Sequence, residues 1–422
     1  MTTCPRHEHV SRRALLKGVV GTAAGGALMN WGSLFGSHAL ADQVKKEQKH
    51  CILIWLNGGA SQFETFDMKV GRPTGGMFRE IKTNLPGAHI CELMPRIAKM
   101  MDKITVIRSM HTSQIDHPGG IHLMHTAYAE AANVRFPELG AVVAKYNGRP
   151  GADLPDFIKV SSNGNSGAGF LGPKYAPFNL NHEGKLPPFS TSNMDADREE
   201  RRHGLRQFME SQFTGNRNLE TTKMHAEGYE AARRLNKAYK AFDIEDEWVK
   251  NKDLYGDSNI GRGLLLARRL IEQGVAFVEV GQSGWDTHAD NFVGHRGLVP
   301  PMEHAWAGLM QDLEQRGLFD KTLIVWMGEI GRTPNINNRA GRDHYVRAWS
   351  SALAGCGVKR GLVYGRSDED GKDVAENPVT EGDFFATVYS ALGINPGIEH
   401  YNGVRPIPIA PFKSKPVKEI LA

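Results

Sequence analysis

The sequence is poor in cysteine. It has four in 422 residues, Cys4, Cys51, Cys91 and Cys356, and no two are spaced as C-x-x-C, which excludes a zinc ribbon and a disulfide scaffold. Cys4 falls in a segment that reads as a leader. Cys51 opens an apolar run and reads as core, and a single disulfide between two of the remaining three is left open. Long hydrophobic runs are also missing: beyond the leader, nothing approaches the roughly 20 apolar residues that cross a bilayer. There is no surplus of one charge. Taking Arg6, Arg12, Arg13, Lys17 and Glu8 of the leader away from 51 basic and 47 acidic residues leaves 47 against 46, so neither nucleic acid nor an anionic membrane is indicated as a partner. Internal repeats and low-complexity tracts are absent outside the leader. What is present is ordinary globular composition, 40% hydrophobic and 23% charged, in a chain long enough for one large α/β domain or two smaller ones.

The leader spans residues 1–41. Arg12 and Arg13 precede a Gly- and Ala-rich, mildly apolar segment that ends in the small-x-small run Ala39–Leu40–Ala41 before Asp42. This is the pattern of a cleaved twin-arginine (Tat) signal peptide. It predicts a protein exported folded to the periplasm or otherwise through the twin-arginine route, with no membrane span after cleavage.

The mature chain, 42–422, alternates short apolar runs with helical patterns. "CILIWLNGG", "ITVIRSM", "VAFVEV" and "TLIVWM" read as buried parallel strands. "LMPRIAKMMDK", "GGIHLMHTAYAEAA" (119–132), "FPELGAVVAKYNG", "LLLARRLIEQG", "MEHAWAGLMQDLEQRG" and "EGDFFATVYSALG" read as helices. About 184–260 is long, charged and helix-periodic, which predicts a helical insertion. The fold class expected is α/β, a mostly parallel sheet with helices on both faces.

In such sheets ligands sit beyond the carboxyl ends of the strands. The polar residues there are unusual. The first strand is followed by Asn57, Ser61, Glu64 and Asp67. The second is followed by His111, Thr112, Ser113, Asp116 and His117, with His122 and His125 on the next helix. The third is followed by Asp286, His288 and Asp290, and the fourth by Glu329, Arg332, Arg342, Asp343 and His344. Each alone has a plain structural reading. His122 and His125 share one helical face that packing would satisfy, Glu329 can cap a helix, and Asp343 can pair with Arg342. Four strand ends with the same chemistry on one sheet edge are instead the raw material of a divalent metal site, zinc or calcium. His117 precedes Pro118 at a helix start, where free N–H groups attract anions; Asp116 either orients its imidazole or merely caps the helix.

The motifs "WLNGGASQFETFDMK", "DHPGGIHLMHTAY", "LLLARRLIEQGVAFVEV", "GWDTHADN", "GEIGRTPNIN" and "GRDHY" together resemble the exported domain-of-unknown-function family fifteen-oh-one, across nearly the whole mature chain. That family is similar in fold to the alkaline phosphatase and sulfatase superfamily, and the resemblance implies an alkaline-phosphatase-like fold. Carried over by position, Asn57 stands where the superfamily has a metal-binding Asp, and His117 stands at the sulfatase cysteine position counted back from Thr126. Asp286, His288 and His344 resemble metal ligands, and Glu329 lies where Asp-His is usual. No cysteine has the C-x-P-x-R context, so formylglycine chemistry is not expected.

The resemblance implies an exported, metal-dependent hydrolase of phosphate or sulfate esters acting on a small anionic ester. Asp286, His288 and His344 would hold the ion, with Glu329 and Asn57 as further candidates. Arg332, and Arg342 with it, would neutralise developing charge. His117, Thr112 and Ser113 are the candidates for nucleophile or general acid. The alternative is a degenerate, non-catalytic member that binds a ligand or an exported protein partner.

Overall fold

The structure, a computed structural model, describes residues 48–422 apart from 150, 163–165, 186–194, 215–225, 227, 231, 236 and 237. The predicted leader lies outside the described residues. No described helix is long and apolar enough to cross a membrane.

The central sheet has eight strands: β1 (His50–Asn57), β2 (Ile104–Met110), β3 (Phe157–Val160), β4 (Phe178–Leu180), β5 (Phe277–Ser283), β6 (Thr322–Met327), β7 (Trp349–Gly355) and β8 (Leu362–Tyr364), in the order β8-β2-β7-β6-β1-β5-β3-β4. β1 lies between β5 and β6, parallel to both, and only β7 runs against the rest. The helices used below are α1 (His117–Thr126), α2 (Leu139–Asn147), α3 (Ala196–Thr214), α4 (Glu245–Tyr255), α5 (Asn259–Glu272), α6 (Asn291–Gln315) and α7 (Glu381–Ala391).

Strand alternation sends successive side chains to opposite faces, and both faces are buried. Ile52, Ile54 and Leu56 of β1 enter a core shared with α5 and α6. Cys51, Leu53 and Trp55 enter a second core shared with α2 and α7. A strand buried on both sides is apolar along most of its length, which is why β1, β2, β5 and β6 are legible as nearly continuous runs. The expected α/β class, a mostly parallel sheet covered on both faces, is what the chain adopts.

Two differences from the sequence reading have physical causes, and two further features complete it. β7 reads "WSSALAG", too small and polar to look like a buried strand, yet all seven residues are buried between β6 and β2. The helix expected over 119–132 starts earlier, at His117, and stops at Thr126, because Ala127 turns left-handed at φ 65°. The loop 337–345 ends in a two-residue strand, His344–Tyr345, paired antiparallel with Gly331–Arg332. The three described cysteines are free and buried. In the stretch 184–260 the described residues hold α3, α4 and the start of α5, and no strand.

Candidate metal centre

The carboxyl ends of β1, β2, β5 and β6 share one edge of the sheet, and the chain after each reaches a common point. β5 runs on into Asp286 and His288, and α1, beyond β2, begins with His117. The turn after β6 carries Glu329 and Arg332, and the short strand paired with Arg332 brings His344.

The meeting point is one oxygen. Asp286 Oδ1 lies 3.2 Å from His117 Nε2, 3.1 Å from His288 Nε2 and 3.3 Å from His344 Nε2. Each imidazole is held by its other nitrogen. His117 Nδ1 is 2.8 Å from Glu329 Oε1, His288 Nδ1 is 2.6 Å from Asp343 Oδ1, and His344 Nδ1 is 2.8 Å from the carbonyl oxygen of Ile115. A carbonyl only accepts, so His344 carries its proton on Nδ1, and the carboxylates favour the same tautomer at the other two. The Nε2 lone pairs therefore face inward. His288 Nε2 and His344 Nε2 are 3.0 Å apart, and His117 Nε2 is buried without a hydrogen bond. Lone pairs converging on one another and on a carboxylate are an arrangement that a bound cation would satisfy.

A tetrahedral zinc with bonds of about 2.0–2.1 Å to nitrogen and oxygen has ligand–ligand edges of about 3.3 Å, close to the Asp286–His spacings. His117, Asp286 and His344 offer ligand atoms that all lie within 4.8 Å of one another. The donor set fits a divalent metal, and the Nδ1 acceptors supply the outer bonds that metal-binding histidines need.

The charges are tuned to match. Burial would raise the Asp286 pKa, but the Arg332 guanidinium and then His117 override it and bring it down to about 2. The hydrogen bond to Glu329 raises the His117 pKa, against the pull of burial. Burial, Arg332 and His117 together lower that of His344.

Two glycines let the backbones meet. Gly58 has φ 113°, and a Cβ on it would stand 2.4 Å from the Asp286 amide nitrogen; a Cβ on Gly341 would stand 2.0 Å from the His288 carbonyl oxygen.

Several expected roles are corrected by their neighbours. Arg332 is fully buried and four of its five N–H donors are taken: Nε bonds the Gly59 carbonyl at 3.1 Å, Nη1 the Arg342 carbonyl at 3.1 Å, and Nη2 bonds Asp286 Oδ1 at 2.7 Å as well as the Gly58 carbonyl. It orients Asp286 from inside the protein. Arg342 is also buried. It pairs with Glu64 at 2.9 Å and lies over the Phe63 ring, so Asp343 is left to hold His288. Asp116 caps α1 by accepting from Gly119 N at 2.8 Å, and the Gly120 N–H bonds the Asp116 carbonyl; those two amides are closed to an anion, and Glu329 rather than Asp116 orients His117. Glu329 caps no helix: Oε1 also accepts from Gly58 N at 2.8 Å.

Among the described residues, Asn57, Thr112 and Ser113 make no hydrogen bond to the cluster. The Asn57 carbonyl accepts from Trp285 N, Thr112 N bonds the Val346 carbonyl, and Ser113 is exposed. His125 is satisfied inside the protein by Glu279 at 3.1 Å and the Ile121 carbonyl at 2.8 Å, whereas His122 bonds Ser166 through Nδ1 at 2.9 Å and its Nε2 is buried without a partner. Asp67 bonds Ser367, and Asp290 starts α6 in a left-handed conformation without a side-chain cap. No sequence signal marks the Ile115 carbonyl, nor His295, whose Nε2 accepts from Ser61 N at 3.0 Å and fixes the loop after β1.

An α/β sheet whose carboxyl edge carries a His-rich, carboxylate-centred cluster is the class that fold and site define. The chain belongs to the family described as "Protein of unknown function (DUF1501)", which it matches over residues 48–421. No curated protein matches it. Solved structures similar to it include a sulfatase from Pseudoalteromonas sp. (11% identity, covering 84% of this chain and 70% of that one, TM-score 0.42). A protein in the alkaline phosphatase superfamily from Vibrio parahaemolyticus is also similar (10%, 82% and 67%, TM-score 0.40). So is the C-terminal periplasmic domain of EcEptC from Escherichia coli in complex with zinc (10%, 89% and 96%, TM-score 0.36).

Proposed function

We propose that this protein is an exported, metal-dependent hydrolase of phosphate or sulfate esters that works without formylglycine. The observation that carries the reading is the convergence of three imidazole Nε2 atoms on Asp286 Oδ1, each ring locked through Nδ1. His117, Asp286, His288 and His344 hold the ion. Three nitrogens and one oxygen suit zinc, whereas calcium takes six to eight oxygens. When bound, the ion would supply Lewis acidity to the ester oxygen and would lower the pKa of a water molecule, which must come in as a further ligand beyond the four protein atoms.

The chain's own residues prepare the centre. Glu329 and Asp343 hold the Nδ1 atoms of His117 and His288 so that Nε2 of each faces the centre, and Arg332 fixes Asp286 while balancing its charge. As a ligand, His117 has no free nitrogen with which to attack an ester, and no serine, threonine or cysteine bonds to the cluster among the described residues. Water is therefore the nucleophile. The side chains of Asp286, His288 and Asp343 are a third to a half exposed, so substrate and water reach the cluster from the solvent side.

The same lack of a nucleophilic side chain favours a second reading, a metal-bearing module that binds an anionic ligand or an exported protein without turnover. The test is purified zinc-loaded protein against a panel of aryl phosphates and aryl sulfates. Turnover that disappears with a chelator and in Asp286→Asn supports the hydrolase. Stoichiometric zinc with no turnover across the panel contradicts it and favours the binding module.

A further inference from the structure

A second set of ionisable groups lies inside the protein, on the face of the sheet that α1 covers. Glu279 sits in mid-β5, in register with Leu53 of β1 on one side and Lys159 of β3 on the other. Its side chain is 1% exposed, as are those of Lys159 and Glu138, and that of His125 is 3% exposed. His125 Nε2 is 3.1 Å from Glu279 Oε1, which also accepts from Ser162. Lys159 Nζ is 2.6 Å from Glu138 and 3.6 Å from Glu279. Glu138 Oε1 accepts from the Ser166 and Gly167 amides at 3.1 Å and 2.8 Å. Two carboxylates and a histidine this close have the makings of a metal site, but the ammonium of Lys159 already lies against both carboxylates, so the cluster has its own cation.

Burying such a network costs desolvation that its mutual attraction only roughly offsets, so its value lies in fixing geometry. What it fixes is specific. His125 is in the last turn of α1 and His117 is the first residue of the same helix, eight positions and about 12 Å earlier. Glu279 is seven positions before Asp286 on the strand that leads to it. The bond from His125 to Glu279 joins the two elements that deliver His117 and Asp286. The His125 ring also lies against Trp55 of β1, with centroids 4.1 Å apart. At the other end of α1, Gly120 abuts Glu329 and Ile330 so closely that a Cβ there would meet them at 3.4 Å and 3.3 Å. The helix is wedged at its first turn and tied at its last.

We propose that His125 and Glu279, with Lys159 and Glu138 behind them, are positioning residues for the metal centre, setting the spacing between His117 and Asp286 by tying α1 to β5. This rests on the metal-centre reading above. The test measures zinc affinity by competition with a chromogenic chelator, alongside thermal unfolding of the zinc-free protein, for wild type, His125→Leu, His125→Asn and Glu279→Gln. Both His125 variants cut the tie, asparagine being too short to reach Glu279. Glu279→Gln keeps an oxygen for His125 and serves as the conservative rescue.

The expected result is a zinc affinity about tenfold weaker in the folded His125 variants, the lower end of what outer-sphere partners contribute, with Glu279→Gln near wild type. If His125→Leu fails to fold, His125→Asn gives the same readout. His125 variants that melt earlier but bind zinc as tightly as wild type would falsify the proposal and leave the network purely structural. A wild-type protein that takes up no zinc overturns the metal reading and this proposal together.

Discussion

One oxygen atom of Asp286 has four nitrogen neighbours, three imidazoles and the Arg332 guanidinium. Two substitutions separate the ligand from its support. Asp286→Asn removes the anionic donor and leaves Arg332 without its counter-charge, so zinc no longer purifies in stoichiometric amount, as elemental analysis will read. Glu329→Gln keeps the hydrogen-bond acceptor for His117 and Gly58 but removes the charge that makes His117 a better donor. Zinc affinity is then expected to fall by about tenfold, with far-ultraviolet circular dichroism unchanged. The candidate ligands were legible in the sequence because His and Asp at strand ends are rare enough to be noticed. The roles of Arg332 and Arg342 were not, because a sequence does not say which carbonyls will compete for a guanidinium once the loops after β1 and β6 meet. His117 reads in the sequence as a candidate nucleophile or general acid and not as a candidate ligand, since that assignment depends on Glu329 reaching its far nitrogen.

The strands and turns that carry these residues make their own predictions. The turn after β1 has Gly58 at φ 113°, where a Cβ would collide with the Asp286 backbone. Gly58→Ala is expected to cost about 1–3 kcal/mol in backbone strain alone, seen as a lower midpoint in urea, and to weaken zinc binding by moving Asp286. At the other end of β1, His50 is buried with Nδ1 on the Val275 carbonyl at 2.8 Å, and burial lowers its pKa from 6.5 to about 4. The folded protein thus holds His50 neutral where the unfolded chain protonates it. Its stabilising effect is complete above pH 6.5 and is lost as pH falls toward 4, by up to about 3 kcal/mol. Urea titrations at pH 7.5 and pH 4.5 will show a smaller loss for His50→Gln than for wild type, and equal losses would contradict this. β1 itself was easy to read, residues 51–56 being apolar throughout. β7 was not, because Trp349–Gly355 relies on serine, alanine and glycine packed between two strands, and small residues carry little hydrophobic signal. The end of α1 was missed because Ala127 takes a left-handed conformation that sequence rarely assigns to alanine.

Across the whole molecule, a site assembled from four separate strand ends exists only in the folded chain. Zinc binding must therefore stabilise the fold: at a thousandfold excess over the dissociation constant the gain is about 4 kcal/mol, read as a melting temperature that rises with added zinc and falls with chelator. The mostly parallel sheet that gathers those ends was legible from the alternation of apolar runs with helical patterns, and export by the twin-arginine route remains our proposal from Arg12 and Arg13. Such a route carries folded proteins, which suits a chain that acquires its metal before export. The central claim is the metal centre of His117, Asp286, His288 and His344, and the direct measurement is the metal content of the mature protein isolated from its export route, beside that of a His288→Ala/His344→Ala double variant. The account predicts one zinc per wild-type chain and almost none in a double variant that keeps its circular dichroism spectrum. Metal-free wild-type protein, or a double variant with unchanged metal, would contradict it.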